Sequence, residues 1–205
     1  IDVMSSNPDL VGRLFNAKII ELALANFPGW TGRSGVVPNG AFIEYWPTLV
    51  DSKYIKERIH IDDKVIEVVP TNQLGLEEKY YQKVPYENPI LEIGEVREDF
   101  FGRIYGTRSG DKGGCANLGV WAKTEDAYSF LFDFLTVKKL KELLPDLESF
   151  EIDRYELPNI FSLNFYVHGI LQEGVSSSTR MDGQAKSLGE YLRAKKINFP
   201  LQLLK

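Results

Sequence analysis

Between Arg108 and Asn117 the chain concentrates unlike chemistries: Arg108, Ser109, Gly110, Asp111, Lys112, Gly113, Gly114, Cys115, Ala116 and Asn117 follow one another. Three glycines admit positive φ and close backbone approach. Successive N–H groups here would then form a concavity for an anion, flanked by the cations Arg108 and Lys112. A phosphate or a carboxylate suits such a receptor, with Asp111 between the two cations as its acid or base. The Walker spacing of glycines, lysine and hydroxyl residue is absent, so this is not a P-loop. The competing reading is a structural turn in which Asp111 pairs with Arg108 or Lys112. Spacing alone leaves both readings open.

Two further segments carry comparable residues. Arg154, Tyr155, Glu156, Leu157, Pro158 and Asn159 lead into Ser162, Leu163, Asn164 and Phe165. Asn164 alternates with apolar neighbours, so its amide points away from the face they cover, as a structural pin or a ligand contact. Downstream, Arg180, Met181, Asp182, Gly183, Gln184, Ala185 and Lys186 open what reads as the last helix. Asp182 fits its N-cap, and Lys186 one turn on adds positive charge where a helix end already favours anions. Cys115 reads as a buried apolar thiol. As a nucleophile it would need a base, and neither His60 nor His168 is near it in sequence.

These residues must be positioned by a packed fold, and 205 residues with 43% hydrophobic and 12% aromatic content suffice for one. The 24 Lys and Arg against 29 Asp and Glu give a net charge of -5, against a broad polynucleotide-binding face. The basic clusters at Lys138, Lys139, Lys141 and at Arg193, Lys195, Lys196 read as solvated helix faces. One cysteine and two separated histidines exclude a disulfide framework and give no metal-ligand spacing; no cofactor is expected. No signal-peptide pattern and no run of roughly 18 to 20 apolar residues is present, so an intracellular, cytoplasmic setting without membrane association is expected. Ile1 to Met4 read like the middle of a longer protein.

Asn7 or Asp9 caps a predicted helix ending at Pro28 and Gly29, although Ile19 to Ala25 also fits a buried strand. A loop and a strand around Ala41 to Trp46 follow. Arg58 to Ile61 and Lys64 to Val68 alternate around Asp62 and Asp63 as a hairpin does. Leu74 to Pro89 reads as a connector, with a domain boundary at residue 92. Beyond it strands are expected at Gly102 to Thr107, Asn117 to Ala122, Phe150 to Glu156 and Ser162 to Val167. Helices are expected at Ala127 to Leu135, at Thr136 to Leu144 with Thr136 as cap, and at Gln184 to Lys196. The expected fold class is α+β, an antiparallel sheet with helices on one face, preceded by a smaller β-rich segment with one helix.

Arg108 to Gly113 with Asn117 and Gly119, then Arg154, Tyr155, Leu157, Pro158, then Leu163, Asn164, Phe165, then Arg180, Asp182, Gln184 and Lys186 occur in an order that resembles the C-terminal domain of the acyclic terpene utilization (AtuA-like) family. The resemblance implies a ferredoxin-like fold over residues 93–205. Residues 1–92 are more weakly similar to the end of that family's larger N-terminal domain, followed by a linker. It also implies a link to breakdown of acyclic terpenes or branched isoprenoid acids through acyl-CoA intermediates. On this reading Asp111 is catalytic, while Arg108, Lys112, Asn117, Asn164, Asp182 and Lys186 hold an acyl-CoA or carboxylate ligand. Two departures touch that site: Ala185 stands where the family has glycine, and Gly114 with Cys115 replaces a polar pair. The alternative is a non-catalytic module that forms a homo-oligomer or docks onto the N-terminal domain of a larger assembly.

Overall fold

The computed structural model describes residues 3–23, 25, 40, 41, 43, 44, 46–68 and 86–205. They fall into two units, Ile1–Tyr45 together with Leu91–Lys205, and Trp46–Ile90. In the second unit, β1 (Glu57–Ile61) and β2 (Lys64–Val68) pair antiparallel around Asp62, whose φ of 50° the tight turn requires. That hairpin follows the sequence alternation.

In the first unit, Asn7 caps a short α1 (Pro8–Val11), its side chain accepting from the Asp9 N–H, and Gly12 separates it from α2 (Arg13–Glu21). The expected single helix is thus two pieces, and neither buries a residue. The part of the expectation beyond Ala25 lies outside the described residues, as do Phe42 and Tyr45 of the expected 41–46 strand and residues 74–85 of the expected connector. Ala41, Ile43, Glu44 and Trp46 belong to no strand.

From Leu91 onward the elements are β3 (Val96–Phe100), β4 (Gly106–Lys112), β5 (Cys115–Trp121), α3 (Glu125–Phe134), α4 (Val137–Leu143), β6 (Ile152–Leu157), β7 (Ser162–Val167), α5 (Leu188–Arg193) and β8 (Lys196–Pro200). A four-stranded antiparallel sheet runs in the order β4-β5-β7-β6, and β3 pairs with β8 in a separate ribbon. Thr136 caps α4 by accepting from the Lys139 N–H, as the sequence predicts, and Thr124 caps α3 in the same way by accepting from the Ala127 N–H.

Two expectations fail here, for identifiable reasons. The strand placed at 102–107 begins instead at Gly106 and runs through Lys112, after a 3₁₀ turn at Phe101–Arg103. The segment read as a glycine-rich loop is therefore strand, with only Gly113 and Gly114 left as a two-residue turn between paired Lys112 and Cys115. The helix placed at Gln184 to Lys196 shrinks to six residues, and Lys196 starts β8. Asp182 lies outside it. Its carboxylate accepts from the Lys186 N–H at 2.9 Å, the Ser187 N–H at 2.9 Å and the Ser187 hydroxyl at 2.7 Å, closing a turn and not an N-cap.

The core lies under the helices, with Phe101, Leu118, Leu131, Leu140, Leu163, Phe165 and Phe199 all fully buried. Tyr105 joins the sheet's core to the ribbon, with ring centroids 4.7 Å from Phe101 and 5.9 Å from Phe199. Its hydroxyl donates to the Ala127 carbonyl at 2.9 Å, and burial holds it far above the ordinary phenol range. The native state therefore keeps a proton that the unfolded chain releases near pH 10. Stability is fully present below that pH and should fall above it by about 1.4 kcal/mol per pH unit. Denaturant melts from pH 8 to 11 check this. Tyr105→Phe should cost about 1 kcal/mol at pH 8 and flatten the alkaline slope.

Candidate functional site

Register decides which side chains share a face, because directly paired residues point the same way and neighbours alternate. In β5 and β7, Ala116, Leu118, Val120, Leu163, Phe165 and Val167 are buried, while Cys115, Asn117, Asn164 and Tyr166 are half-buried. The buried set faces the helices: Ser109 beside Leu118 accepts the Gly189 N–H of α5, and Arg154 beside Phe165 reaches the Phe132 carbonyl of α3. The other set forms the open face. In rows across the strands it carries Gly106, Trp121, Ser162 and Leu157; then Arg108, Gly119, Asn164 and Tyr155; then Gly110, Asn117, Tyr166 and Asp153; and finally Lys112 and Cys115.

Arg108, Lys112, Asn117 and Asn164 thus meet on one face. Asp111, paired with Ala116, points to the helix side, away from the two cations that flank it in sequence. Asp182 and Lys186 belong to the segment that enters α5, and α5 packs on that same helix side. The structure therefore divides the predicted residues into an open-face group of four and a helix-side group of three.

In the open-face group, Asn117 Nδ2 donates to Asn164 Oδ1 at 3.2 Å, leaving the Asn164 NH₂ without a partner among the described residues. Arg108 makes no hydrogen bond or ion pair among the described residues, and Lys112 donates only to the Asp111 carbonyl at 2.9 Å. Between Arg108 and Asn164 lies Gly119, where an added Cβ would meet only the Arg108 carbonyl at 3.6 Å and Asn164 Oδ1 at 4.0 Å. Two strand spacings make this slot roughly 10 Å wide, floored by backbone and walled by a guanidinium and an amide. Lys112 stands roughly 14 Å from Arg108 along the strand, so the two cations reach different parts of any ligand.

Sequence reading missed a second group on this face. His168 Nε2 lies 2.8 Å from Asp153 Oδ2, the Tyr155 hydroxyl approaches the same oxygen at 3.5 Å, and the Tyr166 ring packs edge-on to His168 at 4.9 Å. A hydrogen bond to Cys115 is the first cause that raises the Tyr166 hydroxyl above the ordinary phenol range, with burial and the charges of Cys115, Tyr155 and Asp153 adding to it. Cys115 also accepts from the Gly169 N–H at 3.4 Å, so it is a half-buried, hydrogen-bonded thiol and not the apolar one expected. In the neutral imidazole this pairing puts the proton on Nε2 and leaves Nδ1 as an acceptor. The signal was present in the sequence: Asp153 and Tyr155, like Tyr166 and His168, are two residues apart, so each pair shares a face.

Among the described residues, no group of three His, Cys, Asp or Glu side chains could hold a metal ion, and no helix is long and apolar enough to cross a membrane. With that geometry in place, the comparison with protein families is decisive for the domain, since residues 102–198 match the AtuA ferredoxin-like domain. The chain carries an AtuA ferredoxin-like domain. The match starts just before β4 and ends within β8, so the AtuA ferredoxin-like domain contains the whole four-stranded sheet, its helices and both groups on the open face. No curated protein and no solved structure matches the chain.

The two positions at which the resemblance breaks acquire structural meaning. Ala185 has a φ of 52° and is fully buried, a left-handed conformation that favours glycine. Gly114 sits where any side chain would strike the Gln172 carbonyl.

Proposed function

We propose that the AtuA ferredoxin-like domain recognises the anionic group of an acyl-CoA or branched carboxylic acid on its open sheet face, in a protein linked to breakdown of acyclic terpenes or branched isoprenoid acids. The observation that carries this reading is the Arg108 guanidinium, without a hydrogen bond or ion pair among the described residues, facing Asn164 across the bare backbone of Gly119. A carboxylate in that slot receives a bidentate pair from arginine and a further hydrogen bond from the Asn164 NH₂. Lys112 engages a second, more distant negative charge, and Asn117 holds Asn164 in the donating orientation. Any acid or base on this face comes from His168 with Asp153. Asp111 and Lys186 lie on the helix side and take no part in this recognition, and Asp182 serves the turn ahead of α5.

Thermal melts with a panel of acyl-CoAs and branched acids test the reading. A ligand at 100 times its Kd should stabilise the parent by about 2.7 kcal/mol. Arg108→Ala should weaken binding by about tenfold or more, the loss expected for charge-assisted hydrogen bonds. Lys186→Ala should leave affinity unchanged. If no anionic ligand moves the parent's midpoint, a second reading takes its place: a non-catalytic module that associates with another chain or domain. The observation favouring that reading is the apolar surface left open on α2 and the β1–β2 hairpin, where Leu14 is 76% exposed and Ile59, Ile61, Val65 and Ile66 are exposed.

A further inference from the structure

At the end of the sheet away from Lys112 lies a cavity of about 720 Å³, formed by the 3₁₀ turn at Phe101–Arg103, the ends of β4 and β5, the start of α3, the end of α5 and the C-terminal residues. None of the seven residues predicted to bind or react lies in it. The volume falls within the range of small-molecule sites. Its lining has a definite chemistry, with Arg103, Lys123, Arg193 and Lys205 as cations and Asp126 as the single carboxylate. Arg103 and Lys123 make no ion pair or side-chain hydrogen bond among the described residues, and Arg193 holds only Glu190, loosely, at 3.3 Å.

Two glycines shape the wall. A Cβ on Gly106 would lie 2.2 Å from the Trp121 ring, so the indole lies flat across that glycine while remaining 40% exposed. A Cβ on Gly102 would lie 2.9 Å from both Cβ and Nε of Arg193, so the arginine stem lies against the backbone in the same way. Each missing side chain lets a planar group lie back against the wall. A flat aromatic surface next to several unneutralised cations is the combination that stacks a base and holds phosphates.

We propose that this cavity binds an aromatic anion of the adenine nucleotide type, its ring stacked on Trp121 and its phosphates held by Arg103, Lys123 and Arg193. Gly106 and Trp121 end the open face in the row next to Arg108, but the cavity's cations are different residues from those of the open-face reading, so either can fail without the other.

Titration calorimetry on the full chain with ADP, adenosine and inorganic phosphate tests it. ADP should bind at least about tenfold more tightly than either half, since ring and phosphate act together. Lys123→Glu, a change at an exposed position, should weaken ADP about tenfold or more. Trp121→Phe keeps a ring and should weaken it only a few-fold, with Lys138→Ala, an exposed charge on α4 outside the cavity and the open face, as a neutral control. The proposal is overturned if a folded parent shows no ADP binding at millimolar concentration or if phosphate alone binds as tightly as ADP. An affinity indifferent to Lys123→Glu, or one lost with Lys138→Ala, would overturn it equally.

Discussion

Gly114→Ala should destabilise the domain by about 3 kcal/mol and lower its melting midpoint by on the order of 10 °C. Gly113 carries the positive φ of the β4–β5 turn, at 63°, so Gly114 is not needed for backbone conformation. Its requirement is spatial. A Cβ there would lie 2.0 Å from the Gln172 carbonyl oxygen and 3.2 Å from the Gln172 carbonyl carbon. The obstacle is backbone, which cannot swing aside as a side-chain tip can. The segment it meets is itself committed: Leu171 N–H donates to the Gly114 carbonyl at 2.9 Å, and Ile170 and Leu171 are buried. Making room means lifting this segment, breaking that hydrogen bond and exposing both side chains. Gly110→Ala is the matched control, because nothing lies within 4 Å of a Cβ added there. Calorimetric melts of the two variants should separate widely; equal midpoints would show that the Gln172 segment yields freely.

The same contrast shows what could be read from sequence and what could not. The α+β class, the hairpin at 57–68, α3, α4, β6 and β7 follow from periodicity and caps, because their apolar residues recur at the spacing of one buried face. β4 was hidden because its helix-side residues are Thr107, Ser109 and Asp111, polar groups where a strand pattern expects apolar ones. Ser109 tolerates that position by accepting the Gly189 N–H, a partner 80 residues away that no local pattern reveals. β3 was hidden for a related reason: Val96, Arg97, Glu98, Asp99 and Phe100 show no buried alternation, and the strand exists through its pairing with β8.

The predicted site depended on the same misreading. Treated as a loop, Arg108, Asp111 and Lys112 could converge on one anion; on a strand they alternate, and the register sends Asp111 to the opposite side. The residues that replace it in the open-face constellation come from β6, from β7 and from His168 just beyond β7. Their two-residue spacing was legible within each segment, but that the two pairs adjoin became visible only once pairing set Asp153 beside Tyr166 and brought His168 to the same carboxylate.

Arg154, within one of the signatures that mark the family, illustrates how a basic signature residue can serve the fold instead of a ligand. Its side chain is only 16% exposed. Nη1 donates to Glu156 at 2.7 Å, Nη2 donates to the Phe132 carbonyl at 2.6 Å, and the guanidinium lies 4.8 Å from the Phe132 ring. It therefore ties the edge strand β6 to the backbone of α3 and has little donor capacity to offer a substrate. Arg154→Met should cost about 3 kcal/mol, because it strips a half-buried carboxylate and a helix carbonyl of their charged donor. The double variant Arg154→Met with Glu156→Leu should recover at least half of that loss, since an apolar pair of similar volume removes the desolvated charges together. Ligand affinity on the open face should be unchanged in the double variant. A single substitution costing less than about 0.5 kcal/mol would contradict the clamp, that being the range of an ordinary surface change. Weakened acyl-CoA binding by a well-folded double variant would return Arg154 to the recognition face.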